Sequence, residues 1–438
     1  MLHVLLYADD LALMAGSPEE LQSMLDCLAE FCEACCMCVN TTKLEVVCFN
    51  RRWAPKQLSP WRFNGKVVKV VEKFRYLGVW FEQSGKEGGV HMAQANQLAS
   101  AKCVMASMWR RCYALKVHNV ATLGYLFDAL VRPVASYGCE IWSPDFIRKA
   151  GIGKGGIELL HNSFMRQAMQ VRSSTPVPIL LSELGRQPIS WFWLRQCVKF
   201  WNRTVTRPDR DLVKLCLHEN IDMAVSLGTA NKQCWASCLL DVLSKVGIIS
   251  QPHELWSMKV DGSRVLRRID MAAVTAALQQ LDQRAWQAAQ QMASDPRRVP
   301  DDHREGFKLA IYRAWFCANG SRNKNMAFVA HVNRRDAVRE IARFRMGCHQ
   351  LDIEARRWGD MRVERSKRIC RCCGLGKVED ELHFMLECPL YRHIRADFLL
   401  KMGVQSSNFA ASNENMQRIA NGRNEDEWKI TYTYIREG

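Results

Sequence analysis

The chain has 438 residues, of which 48% are hydrophobic and 24% charged, a composition typical of a soluble globular protein of about two to four domains. No run of about 18 or more apolar residues is present, which excludes a membrane-spanning helix, and the opening MLHVLLYADD lacks the basic start of a signal peptide. Nineteen cysteines in so long a chain without a secretion signal indicate reduced thiols and an intracellular protein, in the nucleus or the cytoplasm.

The net charge of +16 is unevenly distributed. Residues 1–50 contain eight acidic side chains and one lysine, a net charge of −7, which leaves +23 on residues 51–438. A basic body joined to an acidic corner that could bind a metal indicates a polyanionic partner, with RNA or DNA as the first candidate. An ordinary solvated basic surface is the alternative that charge alone leaves open.

The first 50 residues predict a compact ββαβ unit. Residues 3–8 and 11–15 are short apolar runs that we expect to form a hairpin with Asp9 and Asp10 at its bend. The segment SPEELQSMLDCLAEFCEACC then predicts an amphipathic helix, capped by Ser17 with Glu20 completing a capping box. The apolar stripe of this helix is formed by Leu21, Leu25, Leu28, Phe31 and Cys32.

The rest of the chain is mainly helical in pattern. Residues 61–82 predict a second strand-rich piece with Asn64-Gly65 as a hairpin turn. Helical patterns cover 90–205 and 206–292, and the polar, proline-bearing stretch 293–306 predicts a linker. A basic segment, 307–400, leads into a cysteine and histidine cluster, and we expect the polar segment after residue 402 to be loosely ordered.

Asp9 and Asp10 are candidates for metal-dependent chemistry. Nucleotidyl transfer by two metal ions holds two Mg²⁺ about 3.5–4 Å apart between protein carboxylates, where they activate the attacking hydroxyl and stabilise the leaving pyrophosphate. Mg²⁺ prefers octahedral oxygen ligands, which aspartates on a rigid hairpin supply. A bare aspartate pair is common on loops without metal, whereas a Tyr-Ala-Asp-Asp turn between two apolar strands is far more specific.

The YADD turn, Tyr7 to Asp10, resembles the palm-domain metal motif of reverse transcriptases, in the form used by non-LTR (LINE-type) retrotransposons. Further segments that resemble this family follow in its order. VNTTKLEVVCF resembles the next palm segment, FRYLGVWF the following hairpin, and LFDALVRPVASYGCEIW and LSELGRQPISWFWLRQCVKFW segments of the thumb and beyond. The resemblance covers most of residues 1–205 and again 340–395.

This resemblance implies an RNA-directed DNA polymerase that uses Mg²⁺ and dNTP on RNA and DNA. It implies that Asp9 and Asp10 bind Mg²⁺ and that Lys43 assists the departure of pyrophosphate. It also places Tyr7 at the nucleic acid, together with Tyr76 and Gly78 of the hairpin that steadies the primer end.

The sequence departs from the family pattern in three respects. Cys36 stands where the family usually has a left-handed glycine cap, at a strain of about 1 kcal/mol, and Leu44 stands where threonine is common. In the family, the fingers and a palm strand with a further metal-binding Asp lie upstream of the hairpin, whereas only Met1 to Leu6 precede YADD here. We therefore expect this chain to be a C-terminal part of such an enzyme and to be inactive alone. Loss of a metal-binding carboxylate removes transition-state stabilisation, and each ~1.4 kcal/mol lost lowers the rate tenfold.

The C-terminal cysteine and histidine cluster predicts a closed, tetrahedral site for structural Zn²⁺. Its four ligands are Cys370, Cys373, His383 and Cys388. We expect a helix over 379–387 that ends at Cys388, because Pro389 disfavours helical conformation before it. Cys372 competes with Cys373 as the second ligand, and clustered free thiols are the alternative reading. The arrangement resembles the C-terminal cysteine-histidine motif of non-LTR retrotransposon proteins.

A basic segment precedes this cluster. Residues 331–371 contain twelve Lys or Arg and six Asp or Glu, and Arg335, Arg339 and Arg343 recur on one face of a predicted helix. This charge predicts phosphate contacts to RNA or DNA, with Trp358 as a stacking ring, whereas a solvated helix face is the alternative. Further candidates of the same kind are Arg356, Arg357, Arg362 and Arg365, with Arg110 and Arg111 as a second site.

Together these patterns predict a mainly α protein with a small α+β palm (ββαβ plus a hairpin) at the N-terminus, a helical thumb and connection, and a small zinc-knuckle module. The expected segments are 1–85 (partial palm), 86–205 (thumb), 206–305 (connection and linker), 306–400 (basic region and zinc motif) and 401–438 (polar tail). Besides a fragment of a retrotransposon polymerase, two interpretations stay open: a non-catalytic, zinc-dependent RNA- or DNA-binding module, and a decayed element without function.

Overall fold

The computed structural model describes residues 4–49, 60–83, 91–226, 234–260, 264–294, 305–317, 328–357, 363–404 and 411–438. Within these ranges the protein is mainly helical, with short strands near the N-terminus, and this confirms the predicted fold class. No helix in them is both long and apolar enough to cross a membrane. Most of the predicted linker lies outside the described residues.

Short strands and one long helix form the N-terminal unit. Its elements are β1 (Val4–Tyr7), β2 (Asp10–Leu13), α1 (Pro18–Ala34), β3 (Glu45–Val46), β4 (Arg62–Phe63), β5 (Lys66–Val67), β6 (Lys69–Val70), β7 (Lys73–Tyr76) and β8 (Val79–Glu82). Antiparallel hairpins join β1 to β2, β4 to β5 and β7 to β8. Strand β3 pairs parallel with β6 rather than with the first hairpin, so the predicted ββαβ elements occur in order but do not form one sheet.

Helix α1 begins and ends where its sequence signals predict. The hydroxyl of Ser17 accepts a hydrogen bond from the N–H of Glu20 at 3.2 Å, which satisfies one of the free donors of the first turn. Cys36 follows the helix with a φ of 53°, the left-handed conformation that favours glycine. In the predicted apolar stripe Leu25 and Cys32 are buried, but Phe31 is 56% exposed and was wrongly predicted to be part of the core.

The helical body that follows is built from sixteen described helices and one hairpin. They are α2 (His91–Ala114), α3 (Val120–Leu126), α4 (Arg132–Ala135), α5 (Cys139–Ala150), α6 (Gly156–Met169), α7 (Val177–Glu183), α8 (Ile189–Val205), α9 (Leu212–Ser226), α10 (Trp235–Val246), β9 (Trp256–Met258), β10 (Arg264–Leu266), α11 (Met271–Ser294), α12 (Glu305–Phe316), α13 (Arg335–Arg345), α14 (Asp352–Ala355), α15 (Arg392–Lys401), α16 (Asn413–Ala420) and α17 (Glu425–Glu437). Wide π-helical turns cover Phe127–Val131 and His383–Glu387.

Two hydrophobic clusters hold the described residues together. A small cluster around Trp61 and Phe63 packs β4 and β6 against α1. A large cluster extends from Val79 to Tyr434 and contains the fully buried rings of Trp193 and Trp201. The predicted thumb, connection and C-terminal segments therefore share one core instead of having a core each.

A buried ion pair joins four parts of the helical body. Arg345 is 2% exposed, and its guanidinium lies 2.7 Å from the carboxylate of Glu183. Tyr312 donates a hydrogen bond to the same carboxylate at 2.6 Å. The guanidinium also donates to the carbonyl oxygens of Phe316 and Ala420. This pair therefore connects α7, the end of α12, the end of α13 and the end of α16.

Residues 411–438 form two packed helices, contrary to the expectation of a loosely ordered polar tail. Trp428 of α17 is 1% exposed, and its ring lies 5.7 Å from that of Phe328 and 5.4 Å from the guanidinium carbon of Arg345. Tyr432 and Tyr434 are also buried. Trp428 and Tyr432 lie on one face of α17, and Tyr434 packs on another side of it, so a mostly polar helix still contributes large side chains to the core.

Replacing Arg345 by alanine should lower the free energy of unfolding by about 3–5 kcal/mol, because Glu183 would stay buried without its counter-charge. Arg335→Ala removes the same charge from the exposed first turn of the same helix. This substitution should change the free energy of unfolding by about 0.5 kcal/mol or less. Urea unfolding of both variants measures the difference. Equal stabilities would show that the ion pair does not hold these helices together.

Candidate metal centre and nucleic-acid interface

The YADD turn presents its two carboxylates to solvent. Tyr7 and Asp10 face each other across the hairpin, and Ala8 takes a left-handed φ of 52° at the turn. Asp9, Asp10 and Tyr7 are all exposed. Within the described ranges, the His, Cys, Asp and Glu groups that could hold a metal ion include neither aspartate. The hairpin therefore offers two oxygen ligands of a two-metal site, and the described residues add no third carboxylate.

The turn between β7 and β8, at Leu77 and Gly78, contacts the helical body. Leu77 and Gly78 both have positive φ, 46° and 82°, as a two-residue hairpin turn requires. The hydroxyl of Tyr137 donates to the carbonyl oxygen of Leu77 at 2.7 Å. A β-carbon on Gly78 would lie 2.8 Å from the Tyr137 ring, so this turn needs glycine for both conformation and space. Tyr76, half-buried beside it, stacks on Phe74.

The predicted zinc ligands converge. The ligand atoms of the four residues all lie within 4.8 Å of one another, with three of the side chains buried and Cys373 half-buried. The thiols of Cys370 and Cys388 are 4.0 Å apart, and the Cys373 sulfur is 3.3 Å from Nε2 of His383. Zinc–sulfur bonds of about 2.3 Å in a tetrahedron place two sulfurs about 3.8 Å apart. The donor set and its spacing therefore fit zinc.

A wide turn, not a regular helix, brings His383 and Cys388 together. In an α-helix residues five apart point about 140° apart, but His383–Glu387 forms a π-helical turn. The N–H of Cys388 donates to the carbonyl oxygen of His383 at 2.7 Å and closes this turn. Cys388 itself is extended, with a ψ of 124°, as the following Pro389 predicts. The expected helix end is confirmed, and the wider turn explains how the imidazole and the thiol share one side.

A carboxylate lies beside the four ligands, and burial affects the pKa of two of the thiols. Nδ1 of His383 lies 3.2 Å from the carboxylate of Glu387, the contact that commonly orients a metal-binding imidazole. Burial raises the pKa of the Cys370 thiol to about 12 and also raises the pKa of the Cys388 thiol. A metal ion supplies the positive charge that favours the thiolates. Cys372 is exposed and forms a separate group with Cys370 and Glu379, so the geometry favours Cys373 as the second ligand.

The predicted basic helix forms as α13, with its three arginines at different degrees of exposure. Arg335 is exposed, Arg339 pairs with Glu340 at 2.8 Å, and half-buried Arg343 donates to the Gln170 carbonyl. Arg345, which the i, i+4 spacing leaves off this face, points into the core.

The predicted basic residues that follow α13 are more often buried or paired with a carboxylate than those of α13. Arg357 is 3% exposed and pairs with Glu354 at 2.8 Å, so its proposed role as a surface phosphate contact is wrong. Arg356 lies 3.3 Å from Asp352, and Arg365 is half-buried, 3.6 Å from Asp380. The remaining two candidates, Trp358 and Arg362, lie outside the described residues.

The two basic sites predicted from distant parts of the sequence lie on adjoining elements. Arg110 and Arg111 are exposed at the end of α2, next to the turn that leads into α3. In that turn Asn119 caps α3 and also donates to the side chain of Asn333, just before α13. Nothing in the sequence spacing signals this contact, because the two asparagines are 214 positions apart.

Comparison with protein families identifies the N-terminal unit. Residues 1–81 match the model of the reverse transcriptase (RNA-dependent DNA polymerase) family, and the match includes YADD, Lys43 and the Leu77-Gly78 turn. This part of the chain is a reverse transcriptase family domain, which implies Mg²⁺ and nucleic acid as its cofactor and partner. Comparisons with curated proteins and with solved structures gave no significant match.

Cys373→Ser should abolish stoichiometric zinc binding, since it removes one of four ligands, whereas Cys372→Ser should keep it. Metal analysis of the purified variants and the thiolate absorption of their Co²⁺ forms test this pair. If Cys372→Ser lost zinc and Cys373→Ser kept it, Cys372 rather than Cys373 would be the second ligand. Wild-type protein free of zinc would contradict the centre itself.

Proposed function

We propose that this chain is the palm, thumb and zinc-bearing part of a non-LTR (LINE-type) reverse transcriptase and that it binds RNA and DNA. The observation that carries this proposal is the reverse transcriptase match across the YADD hairpin, in a chain that goes on to a Cys₃His cluster behind a basic helix. Short palm strands, a helical body and a closed metal site follow in the order of that enzyme type.

In this proposal the N-terminal unit supplies only part of a polymerase site. Asp9 and Asp10 are ligands for Mg²⁺, the ion that activates the attacking hydroxyl and the leaving pyrophosphate in such enzymes. Lys43 is exposed and would contact the triphosphate of a dNTP, and Tyr7 and the Tyr76–Gly78 turn would contact the primer and template. Because the described residues hold no further carboxylate beside the two aspartates, we assign no nucleotidyl transfer to this chain alone.

The zinc centre has a structural role in this proposal. Three thiolates and an imidazole fill all four positions of a tetrahedral ion, which leaves none for a substrate or water. The centre lies beside the core through Phe384, whose ring is 5.9 Å from Phe344 of α13. Zinc would therefore stabilise the part of the fold that carries the basic helix.

The nucleic-acid face that we propose is formed by α13 and the end of α2. Arg335 and Arg343 have no acidic partner among the described residues, and Arg339 shares its charge with Glu340. Arg110 and Arg111 extend the face across the Asn119–Asn333 contact, and Arg356 and Arg365 lie further along the chain. Arginines spread in this way contact phosphates rather than base edges, so we expect affinity without sequence preference.

The alternative function is a non-catalytic, zinc-dependent module that binds RNA or DNA. It is favoured because the described residues contain a complete set of four zinc ligands, but no third carboxylate beside Asp9 and Asp10. The two functions differ in whether the palm residues have a role. Primer extension, alone or with a polypeptide that supplies the further carboxylate, distinguishes them.

Affinity for a duplex RNA–DNA hybrid should fall steeply with salt, since each phosphate contact releases counterions. Arg335→Ala and Arg343→Ala should each weaken binding for all sequences and reduce the slope of log affinity against log salt by about 1. Arg207→Ala removes the same charge beside α8 and serves as the control. Fluorescence anisotropy at several salt concentrations gives these slopes, and equal slopes for all three variants would contradict the proposed face.

The isolated chain with Mg²⁺, dNTP and a primed RNA template should give no extension above background, and Asp9→Asn should leave that result unchanged. Denaturing gels of labelled primer measure the products. Extension by the wild type that disappears in Asp9→Asn would overturn the proposal that the carboxylate set is incomplete.

A further inference from the structure

The wide turn that carries two zinc ligands leaves backbone carbonyls without helical partners. A π-helical turn pairs each carbonyl with the N–H five residues on, and for Phe384 that residue is Pro389, which has no N–H. The chain also leaves the turn at Cys388, so the carbonyl of Met385 finds no donor in a continuing π-helix. Phe384 and Met385 are buried, and buried carbonyls require donors from elsewhere in the protein. The carbonyl of Cys388, which is also buried, already accepts from the N–H of Tyr391 at 3.3 Å.

Two side chains from the C-terminal helices supply these donors. The hydroxyl of Tyr434, on α17, donates to the carbonyl oxygens of Phe384 and Met385 at 3.0 and 3.4 Å. Arg395, on α15, donates to the carbonyl of Met385 at 2.9 Å and to that of Cys388 at 2.5 Å. The Tyr434 ring also packs 5.3 Å from the ring of Phe384. Neither side chain is one of the four ligands.

We propose that Tyr434 and Arg395 are positioning residues for the metal centre. By satisfying the carbonyls of the turn they hold it wide, so that His383 at its start and Cys388 at its end face one ion. In a regular α-helix the same two residues would diverge by about 140°. This inference rests on the zinc centre proposed above and adds that the ligand geometry depends on α15 and α17, beyond the knuckle itself.

Helix α17 offers a matched control for this role. Tyr432 is two residues before Tyr434, is also buried, and also uses its hydroxyl as a donor. Its partner, however, is the carboxylate of Asp336 at the start of α13, at 2.8 Å, and not the turn. Tyr434→Phe and Tyr432→Phe therefore remove the same atom from the same helix, and only the first touches the metal turn.

The test measures zinc affinity by competition with a chromophoric chelator, in the full chain, for the wild type and both tyrosine variants. We expect Tyr434→Phe to weaken zinc binding about 10-fold or more, as lost outer contacts of metal ligands do, and Tyr432→Phe to stay within about 2-fold. Arg395→Gln should act in the same direction as Tyr434→Phe. Co²⁺ absorption should shift in the two turn variants and not in Tyr432→Phe, because the shift reports ligand geometry.

A second measurement separates positioning from general support of the fold. If the Tyr434 hydroxyl positions ligands, Tyr434→Phe should lower the melting temperature more in the zinc-loaded protein than in the Cys373→Ser background. Equal losses in both backgrounds, or wild-type zinc affinity in both turn variants, would overturn this inference while leaving the zinc centre intact. Absence of zinc from the wild type would overturn the centre and this inference together.

Discussion

The buried ion pair between Arg345 and Glu183 is the interaction on which the helical body depends. Burying two charges costs several kcal/mol each. The guanidinium donates to Oε1 of Glu183 and to two backbone carbonyls, and the same Oε1 also accepts from Tyr312, whereas Oε2 of Glu183 has no hydrogen-bond partner among the described residues. The guanidinium also lies over the rings of Phe316, Phe328 and Trp428. The same side chain therefore contacts three aromatic rings and two backbone carbonyls from different parts of the helical body.

The same pair fixes the rotation of α13. When Arg345 enters the core, the positions two, six and ten residues before it are turned away from the interior, and these are Arg343, Arg339 and Arg335. One helix therefore carries both the charge that orders the core and the charges that we assign to phosphate contacts. The core-facing arginine sets the direction in which the others point.

Local signals in the sequence were sufficient for local structure. Asn64-Gly65 forms the predicted hairpin turn, and Ser17 caps α1 as predicted. The Leu77-Gly78 hairpin and the left-handed Cys36, both expected from the family resemblance, also form. The Cys and His spacing likewise brought four ligands together, because two of them lie at one tight loop and two lie within or next to one turn. In each case a few neighbouring residues determine the conformation.

Features set by distant contacts could not be predicted in this way. Arg357 has the same sequence surroundings as Arg356 but is buried against Glu354, and Phe31 has helical spacing for the core but faces solvent. The order of the C-terminal segment depends on Phe328 and Arg345, almost a hundred residues before Trp428. The wide turn at His383 depends on Tyr434 and Arg395, which follow it. Spacing alone carries no information about such partners.

The conformation and surroundings of Gly78 restrict which substitutions the protein can accept at this position. Every other amino acid there would bring a β-carbon against the Tyr137 ring and a side chain into a left-handed backbone. A smaller residue at position 137 would make room for this β-carbon, but it would also remove the hydroxyl that donates to the Leu77 carbonyl. The two positions are therefore constrained as a pair, and neither can drift without loosening the attachment of the reverse transcriptase domain to its helical body.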